Sequence, residues 1–186
     1  MRFIPTILPE VILIEPTVFS DNRGFFMETY SRKVFAKHGI DIEFVQHNHS
    51  RSIKDTLRGL HYQIEQPQAK LVRVLHGTIF DVAVDIRYGS PTFGHWVGVE
   101  LSEENRKQLF VPVGFAHGFC VTSPQADVTY ACGDYYYPQG ERGLIWDDPD
   151  LNITWPTKMP LLSSKDRENP PFRDLPKDFT YTEATL

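Results

Sequence analysis

Apolar and polar residues alternate along most of the chain. The period is two in VILIEP, LRGLHYQ, KLVRVLHG, TIFDVAVDIR, HWVGVELS, KQLFVP, AHGFCVTS and ADVTYACGDYYY, with Gly, Pro, Asn or Ser between most of the runs. Short alternating runs broken by turn residues predict an all-β sandwich or barrel. In TIFDVAVDIR, Phe80, Val82, Val84 and Ile86 fall on one face, and Asp81, Ala83, Asp85 and Arg87 on the other. That strand is expected to have one apolar and one polar side. A single early stretch reads as helix, SRKVFAKHG, with Ser31 as its cap and Gly39 as its stop. The turn SDN ahead of RGFF fits a simple hairpin with Arg23 solvated and Phe25 and Phe26 in the core.

Fourteen prolines concentrate near the two ends. The segment from about Lys165, KDRENPPFRDLPKDFTYTEATL, is too rich in proline for a sheet interior and is expected to wrap over the outside. No repeat or low-complexity linker divides the chain, so residues 1–186 are expected to form one domain with this tail appended.

Composition narrows the function classes. A formal net charge of −5 supplies no general basic field for nucleic acid or anionic membrane, although a few Arg and Lys residues could hold a small anion. Cys120 and Cys132 are two thiols with no metal-ligand spacing, which suits a reducing cytoplasm and buried, unpaired roles. The apolar N-terminal run is interrupted by Pro5, Pro9, Glu10 and Glu15, so it reads neither as a signal peptide nor as a membrane span.

The candidate chemistry lies in polar residues set into apolar strands. Period-two counting puts Gln46 and Asn48 on one face of FVQHNHS and His47 and His49 on the other. It places His61 with Leu57, Gly59 and Gln63, Lys70 with Val72, Val74 and His76, and Tyr130 with Cys132, Asp134 and Tyr136. If these faces converge, they line a polar pocket inside a barrel. Arg58 precedes His61 by an odd spacing, so an ideal strand separates the two unless Gly59 makes a bulge. Lys70 opens an apolar strand and needs either a charged partner or a water-filled cavity. A metal centre built on His47, His49 and His117 would require the other face of HNH to point inward, which excludes the Gln46 and Asn48 reading.

Several segments in order resemble signatures of the dTDP-4-dehydrorhamnose 3,5-epimerase family: SDNRGFFMETYS, QHNHSRS, LRGLHYQ, QAKLVRVLHGTIFDVAVDIR, GSPTFG, LFVPVGFAHGF, DYYYP, WDDPDLNITWP and SSKD. LFVPVGFAHGF also resembles the second motif of the cupin superfamily. The resemblance implies a cupin-type jelly roll with a few short helices, a homodimer with strand exchange, and no metal or other cofactor. It implies inversion of C3 and C5 in a thymidine-diphosphate 4-keto-6-deoxyhexose, by proton removal next to the C4 ketone and return from the opposite side, with inversion of C3 alone or C5 alone as the alternative inside the family. Carried over by position, it makes His61 the base, Asp166 its partner, Lys70 a neighbour of the ketone, and Tyr130 and Tyr136 the candidates for proton donor. Arg23, Phe25, Glu28, Gln46, Asn48, Arg58, His117, Glu141 and Lys165 match substrate-binding positions, as does Lys70. Ala131 and Gly133 stand where the family often has Lys and Thr, and the loop from HYQ to QAK is short for the family.

Overall fold

In a computed structural model, which describes residues 1–182, the chain forms two facing antiparallel sheets. The strands in chain order are β1 (Arg2–Pro5), β2 (Ile12–Glu15), β3 (Val18–Asp21), β4 (Gly24–Met27), β5 (Gln46–Ile53), β6 (Leu57–Gln63), β7 (Lys70–His76), β8 (Thr78–Asp85), β9 (Arg87–Tyr88), β10 (Trp96–Ser102), β11 (Gln108–Val111), β12 (Phe115–Val121), β13 (Gln125–Cys132), β14 (Glu141–Gly143) and β15 (Phe179–Thr180). The larger sheet has the order β1-β2-β11-β7-β13-β5 and the smaller β10-β8-β12-β6-β14. Helix α1 (Arg32–Ala36) starts after Ser31, whose side chain makes no capping bond, and the chain turns away at Gly39 with φ +83°. Helix α2 (Ser164–Arg167) is capped by Ser163, whose side chain accepts from Asp166 N–H. This is the jelly-roll arrangement that the sequence leads one to expect.

Three apolar layers hold the sandwich. Val72, Val74, Ile79, Leu101, Leu109, Phe115, Phe119 and Val128 fill the space between the sheets. Each fully buried Val or Leu contributes ~1.5–3 kcal/mol. Ile14, Phe35, Ile40, Leu71 and Phe110 join the larger sheet to α1. Leu57, Leu60, Val82, Val84, Ile86, Leu144 and Trp155 cover the outer face of the smaller sheet, with Phe172, Leu175 and Phe179 packed against them.

The two faces of β8 therefore differ from the simple expectation. Phe80, Val82, Val84 and Ile86 point outward, and the C-terminal segment covers them. The face bearing Asp81 and Asp85 is also buried, with both carboxylates fully enclosed. Asp85 accepts from Arg87 Nε, Ser90 Oγ and Thr92 Oγ1 at 2.9, 2.6 and 2.7 Å. These donors outweigh the effect of burial and keep its carboxyl below the usual range. In the motif WDDPDL, buried Asp148 accepts backbone N–H bonds from Asp150, Leu151 and Phe172.

The expected face of β6 also changes. His117 of β12 pairs with His61 and Phe119 with Arg58, so Gly59 and Leu60 together oppose the single residue Gly118. This bulge turns Arg58 and His61 to the same side and sends Leu57, Leu60 and Tyr62 to the outer layer. Leu57 thus does not share a face with His61. Gly59 has φ +125°, and a Cβ there would lie 2.5 Å from Gly118 Cα and 2.8 Å from His117 O. The backbones can meet this closely only without a side chain.

The β3–β4 hairpin forms a separate two-stranded ribbon, and here the expected packing fails. Phe25 and Phe26 do not enter the core; they are exposed at 53% and 70%, and Phe19 on the same ribbon at 64%. A two-stranded ribbon has too little surface to enclose its own aromatic side chains.

Replacing Gly59 by Ala is expected to lower stability by at least about 2 kcal/mol, from the strained φ and the overpacked contact together, and to abolish activity. Gly89 provides the control, because it also has a positive φ, +83°, but a Cβ there would meet no atom within 4 Å. Urea unfolding of both alanine variants should show the larger loss at Gly59, with activity kept only in Gly89→Ala.

Candidate active site

The hydrophobic filling between the sheets gives way at one end to a cavity of about 620 Å³. The strands that build the core also deliver its polar lining. On β7, the face that sends Val72 and Val74 into the core begins with Lys70. On β13 the same face runs from buried Val128 to partly buried Tyr130. From the opposing sheet, β6 supplies Arg58, His61 and Gln63, and β12 supplies His117.

His61 and Asp166 meet across a long sequence separation. His61 Nε2–H donates to Asp166 Oδ1 at 2.5 Å. Asp166 is 3% exposed, and α2 fixes it through its own N–H to Ser163 Oγ at 3.1 Å. Burial alone would raise its carboxyl pKa. The His61 contact and the bond to Ser163, with the nearby Lys165 charge, outweigh that effect and hold it below the usual carboxylate range. An ionised carboxylate accepting from Nε2 leaves Nδ1 of a neutral His61 as the unprotonated nitrogen.

Lys70 has neither an ion pair nor a hydrogen bond to its ammonium among the described residues. Burial pushes its pKa below the ordinary lysine value, opposed by Cys132, Asp81 and Glu141. The open cavity, rather than a direct partner, accommodates this charge. Tyr130 likewise has no acceptor for its hydroxyl among the described residues. Burial, with Cys132 and Glu141, raises its pKa against the opposing effect of Arg58, so the phenol keeps its proton at neutral pH.

Tyr136 is placed differently from the expectation, because β13 ends at Cys132 and the residues after it leave the sheet. Its hydroxyl donates to Glu141 Oε2 at 2.6 Å, and this bond raises the phenol's pKa. Glu141 also pairs with Lys165. Despite burial, these contacts keep the Glu141 carboxyl low. Tyr136, Glu141, Lys165 and Asp166 all border the cavity.

Gln46 and Asn48, opposite Cys132 and Tyr130 in the sheet, are the inward pair of β5, while His47 and His49 are exposed, although both also border the cavity. Gln46 Nε2 donates to Asn48 Oδ1 at 3.1 Å, and Asn48 Nδ2 to Cys132 Sγ at 3.5 Å. Among the described residues, no three His, Cys, Asp or Glu side chains gather as a metal-ligand set. Arg58 is anchored through Nε to Ser52 Oγ at 3.1 Å, which leaves its terminal nitrogens for an anion.

Three expected binding residues are absent from the cavity wall. Arg23 sits at the hairpin tip paired with Asp21, and Phe25 and Glu28 lie on or just beyond the same ribbon. Asp81, which the sequence pattern did not assign to the site, adjoins it, Gln68 and Ser163 border it as well, and Gln63 lines it from the face it was expected to share with His61. Asp81 accepts from His117 Nε2–H at 2.8 Å, both side chains being buried, and its Oδ2 has no partner among the described residues. Gln63 lies on the cavity wall at 5% exposure. The signals were an aspartate alternating with buried apolar residues and a glutamine in register with His61.

The family described as dTDP-4-dehydrorhamnose 3,5-epimerase matches residues 5–174. A Shigella flexneri protein of that name is 54% identical over 94% of this chain and 97% of its own length. One from Methanothermobacter thermautotrophicus is 51% identical over 94% and 96%. The crystal structure of a dTDP-6-deoxy-D-glucose-3,5-epimerase from Legionella pneumophila, in complex with dTDP-4-keto-L-rhamnose, is similar with a TM-score of 0.95 and 48% identity, covering 98% of this chain and 99% of that one. With a fold, a polar cavity and a sequence match that run together along nearly its whole length, the chain belongs to the dTDP-4-dehydrorhamnose 3,5-epimerase family.

Proposed function

We propose that the protein inverts C3 and C5 of dTDP-4-dehydro-6-deoxy-D-glucose to give dTDP-4-dehydro-L-rhamnose, with no cofactor. The observation that carries this reading is the placement of groups on facing sheets. The His61–Asp166 pair comes from the β6 side, and Lys70 and Tyr130 come from the β7 and β13 side of one cavity.

Carbons C3 and C5 both adjoin the C4 ketone, so one set of groups serves both. His61 Nδ1 takes the α-proton, and Asp166 stabilises the resulting imidazolium and fixes the tautomer. The electron pair moves onto the ketone oxygen, where the Lys70 ammonium provides a cationic donor that has no acceptor among the described residues. Tyr130 then gives its hydroxyl proton to the opposite face of the carbon, the ketone reforms, and solvent restores the protonation states of His61 and Tyr130. Return of the same proton by His61 alone would regenerate the starting configuration.

Tyr130 suits the acid role better than Tyr136. Its hydroxyl is uncommitted among the described residues, whereas that of Tyr136 is engaged by Glu141. Arg58 is positioned for the diphosphate, and Gln46, Asn48, His117, Glu141 and Lys165 for polar groups of the sugar nucleotide. Phe19, Phe25 and Phe26, exposed on a ribbon that also bears Arg23 and Glu28, support a homodimer in which each hairpin completes the cavity of the other copy. Buried, unpaired Cys120 and Cys132 support a cytoplasmic location.

His61→Asn is expected to lower kcat by ~100- to 10,000-fold with little change in KM. Steady-state kinetics that retain about a tenth or more of wild-type kcat would remove His61 from the base role.

Tyr130→Phe is expected to separate proton removal from inversion. In deuterated solvent, NMR should find deuterium entering C3 or C5 of recovered substrate faster than inverted product accumulates. Tyr136→Phe should keep the two rates coupled. The opposite pattern would transfer the acid role to Tyr136.

A further inference from the structure

Residues 133–137, between β13 and the 3-10 turn at Pro138–Gly140, belong to neither sheet, yet they carry Tyr136 to the cavity. Glutamine side chains take the place of a neighbouring strand here. Gln68 Nε2 donates to Asp134 O at 2.8 Å, and Gln63 Nε2 donates to Tyr135 O at 2.9 Å. Gln46 Oε1 accepts from Tyr136 N–H at 2.8 Å, and Gln63 Oε1 accepts from Tyr137 N–H at 2.9 Å. Backbone groups of four successive residues are thus held by three side chains from β5, β6 and the loop before β7.

Gln63 contributes most, because both ends of its amide are used. A primary amide can accept one backbone N–H and donate to a nearby carbonyl, as a residue of a paired strand does; an ionised carboxylate can only accept. The position is almost closed to solvent, so the bonds do not exchange freely with water. The amide directions agree along the whole cluster. Gln46 accepts from Tyr136 N–H, donates to Asn48 Oδ1, and Asn48 donates in turn to Cys132 Sγ. Gln46 therefore cannot turn over without breaking its bond to the loop, and the loop is tied to two amides that face the cavity.

We propose that Gln63, supported by Gln68, is a positioning residue for the epimerisation. It holds the 134–137 loop so that the Tyr136 hydroxyl reaches Glu141, beside Lys165 and Asp166, and one wall of the substrate cavity keeps its shape. The proposal rests on the epimerase reading above and adds a residue that acts through another rather than on the sugar.

Gln63→Leu conserves approximate volume and removes three bonds, those to Tyr135 O and from Tyr137 N–H and a further one to Gln66 O. A displaced Tyr136 is expected to lower kcat/KM for the 4-keto sugar nucleotide by roughly 100-fold. Hydrogen exchange at the Tyr136 and Tyr137 amides should accelerate while the β12 and β13 amides keep their protection. In a Tyr136→Ala background, the same substitution should cost less than about twofold more, because its route of action is already gone. Unchanged kcat/KM in Gln63→Leu, unchanged loop exchange, or an undiminished loss in the Tyr136→Ala background would each overturn the proposal. If Gln63→Leu does not fold, Gln68→Leu at a less buried position tests the same clamp, with a roughly tenfold loss that again depends on Tyr136. Wild-type protein that makes no product would contradict the epimerase reading itself; an active wild type matched by an equally active Gln63→Leu contradicts only the clamp.

Discussion

The close approach of Gly59 to Gly118 is the constraint on which the site depends. Two backbones meet where neither residue can carry a side chain, since a Cβ on Gly118 would lie 2.7 Å from Arg58 O. The extra residue that β6 inserts there reverses the alternation over a short distance. A regular strand would bury either Arg58 or His61 in the apolar outer layer, where an unpaired guanidinium or imidazole is strongly disfavoured. With the bulge, both enter the cavity, and Leu57, Leu60 and Tyr62 complete the layer beneath the C-terminal segment. His117, paired with His61 across the same irregularity, joins them.

The cavity is an exception to the packing of the sandwich around it. Elsewhere the sheets exclude water with branched and aromatic side chains, and Asp85 and Asp148 have several donors each, although Arg73 Nε, Arg106 Nε and Asn169 Nδ2 also lack partners among the described residues. Within the site, Lys70 has no direct partner among the described residues, Asp81 keeps an unsatisfied oxygen, and the Tyr130 hydroxyl stays uncommitted. Leaving these polar groups without protein partners costs stability, and the three apolar layers offset it. The proposed mechanism would draw on this unused bonding capacity as charge develops on a bound sugar.

Most strands and the convergence of His61, Lys70, Tyr130, Gln46 and Asn48 were readable from the sequence, because period-two alternation translates directly into strand faces. What escaped that reading depends on contacts distant in the chain. The sequence marks Gly59 as a place where a bulge could bring Arg58 and His61 together, but that one forms there requires knowing that Gly59 meets Gly118. The end of β13 at Cys132 removes Tyr136 from the strand that carries Tyr130, although the residue alternation continues past it. Asp81 was expected on the polar side of β8, and nothing local reveals that both sides of that strand are covered. Phe25 looked like core because hydrophobicity alone does not distinguish a side chain buried within one chain from one left exposed on a ribbon.

The central claim is that C3 and C5 both exchange a proton between facing sheets of one cavity. It is tested most directly by converting dTDP-4-dehydro-6-deoxy-D-glucose with the wild-type protein in deuterated water and examining the product by proton NMR. The account predicts an inverted sugar with solvent deuterium at both C3 and C5. Inversion at one carbon alone, or an inverted centre that still bears its original hydrogen, would contradict it.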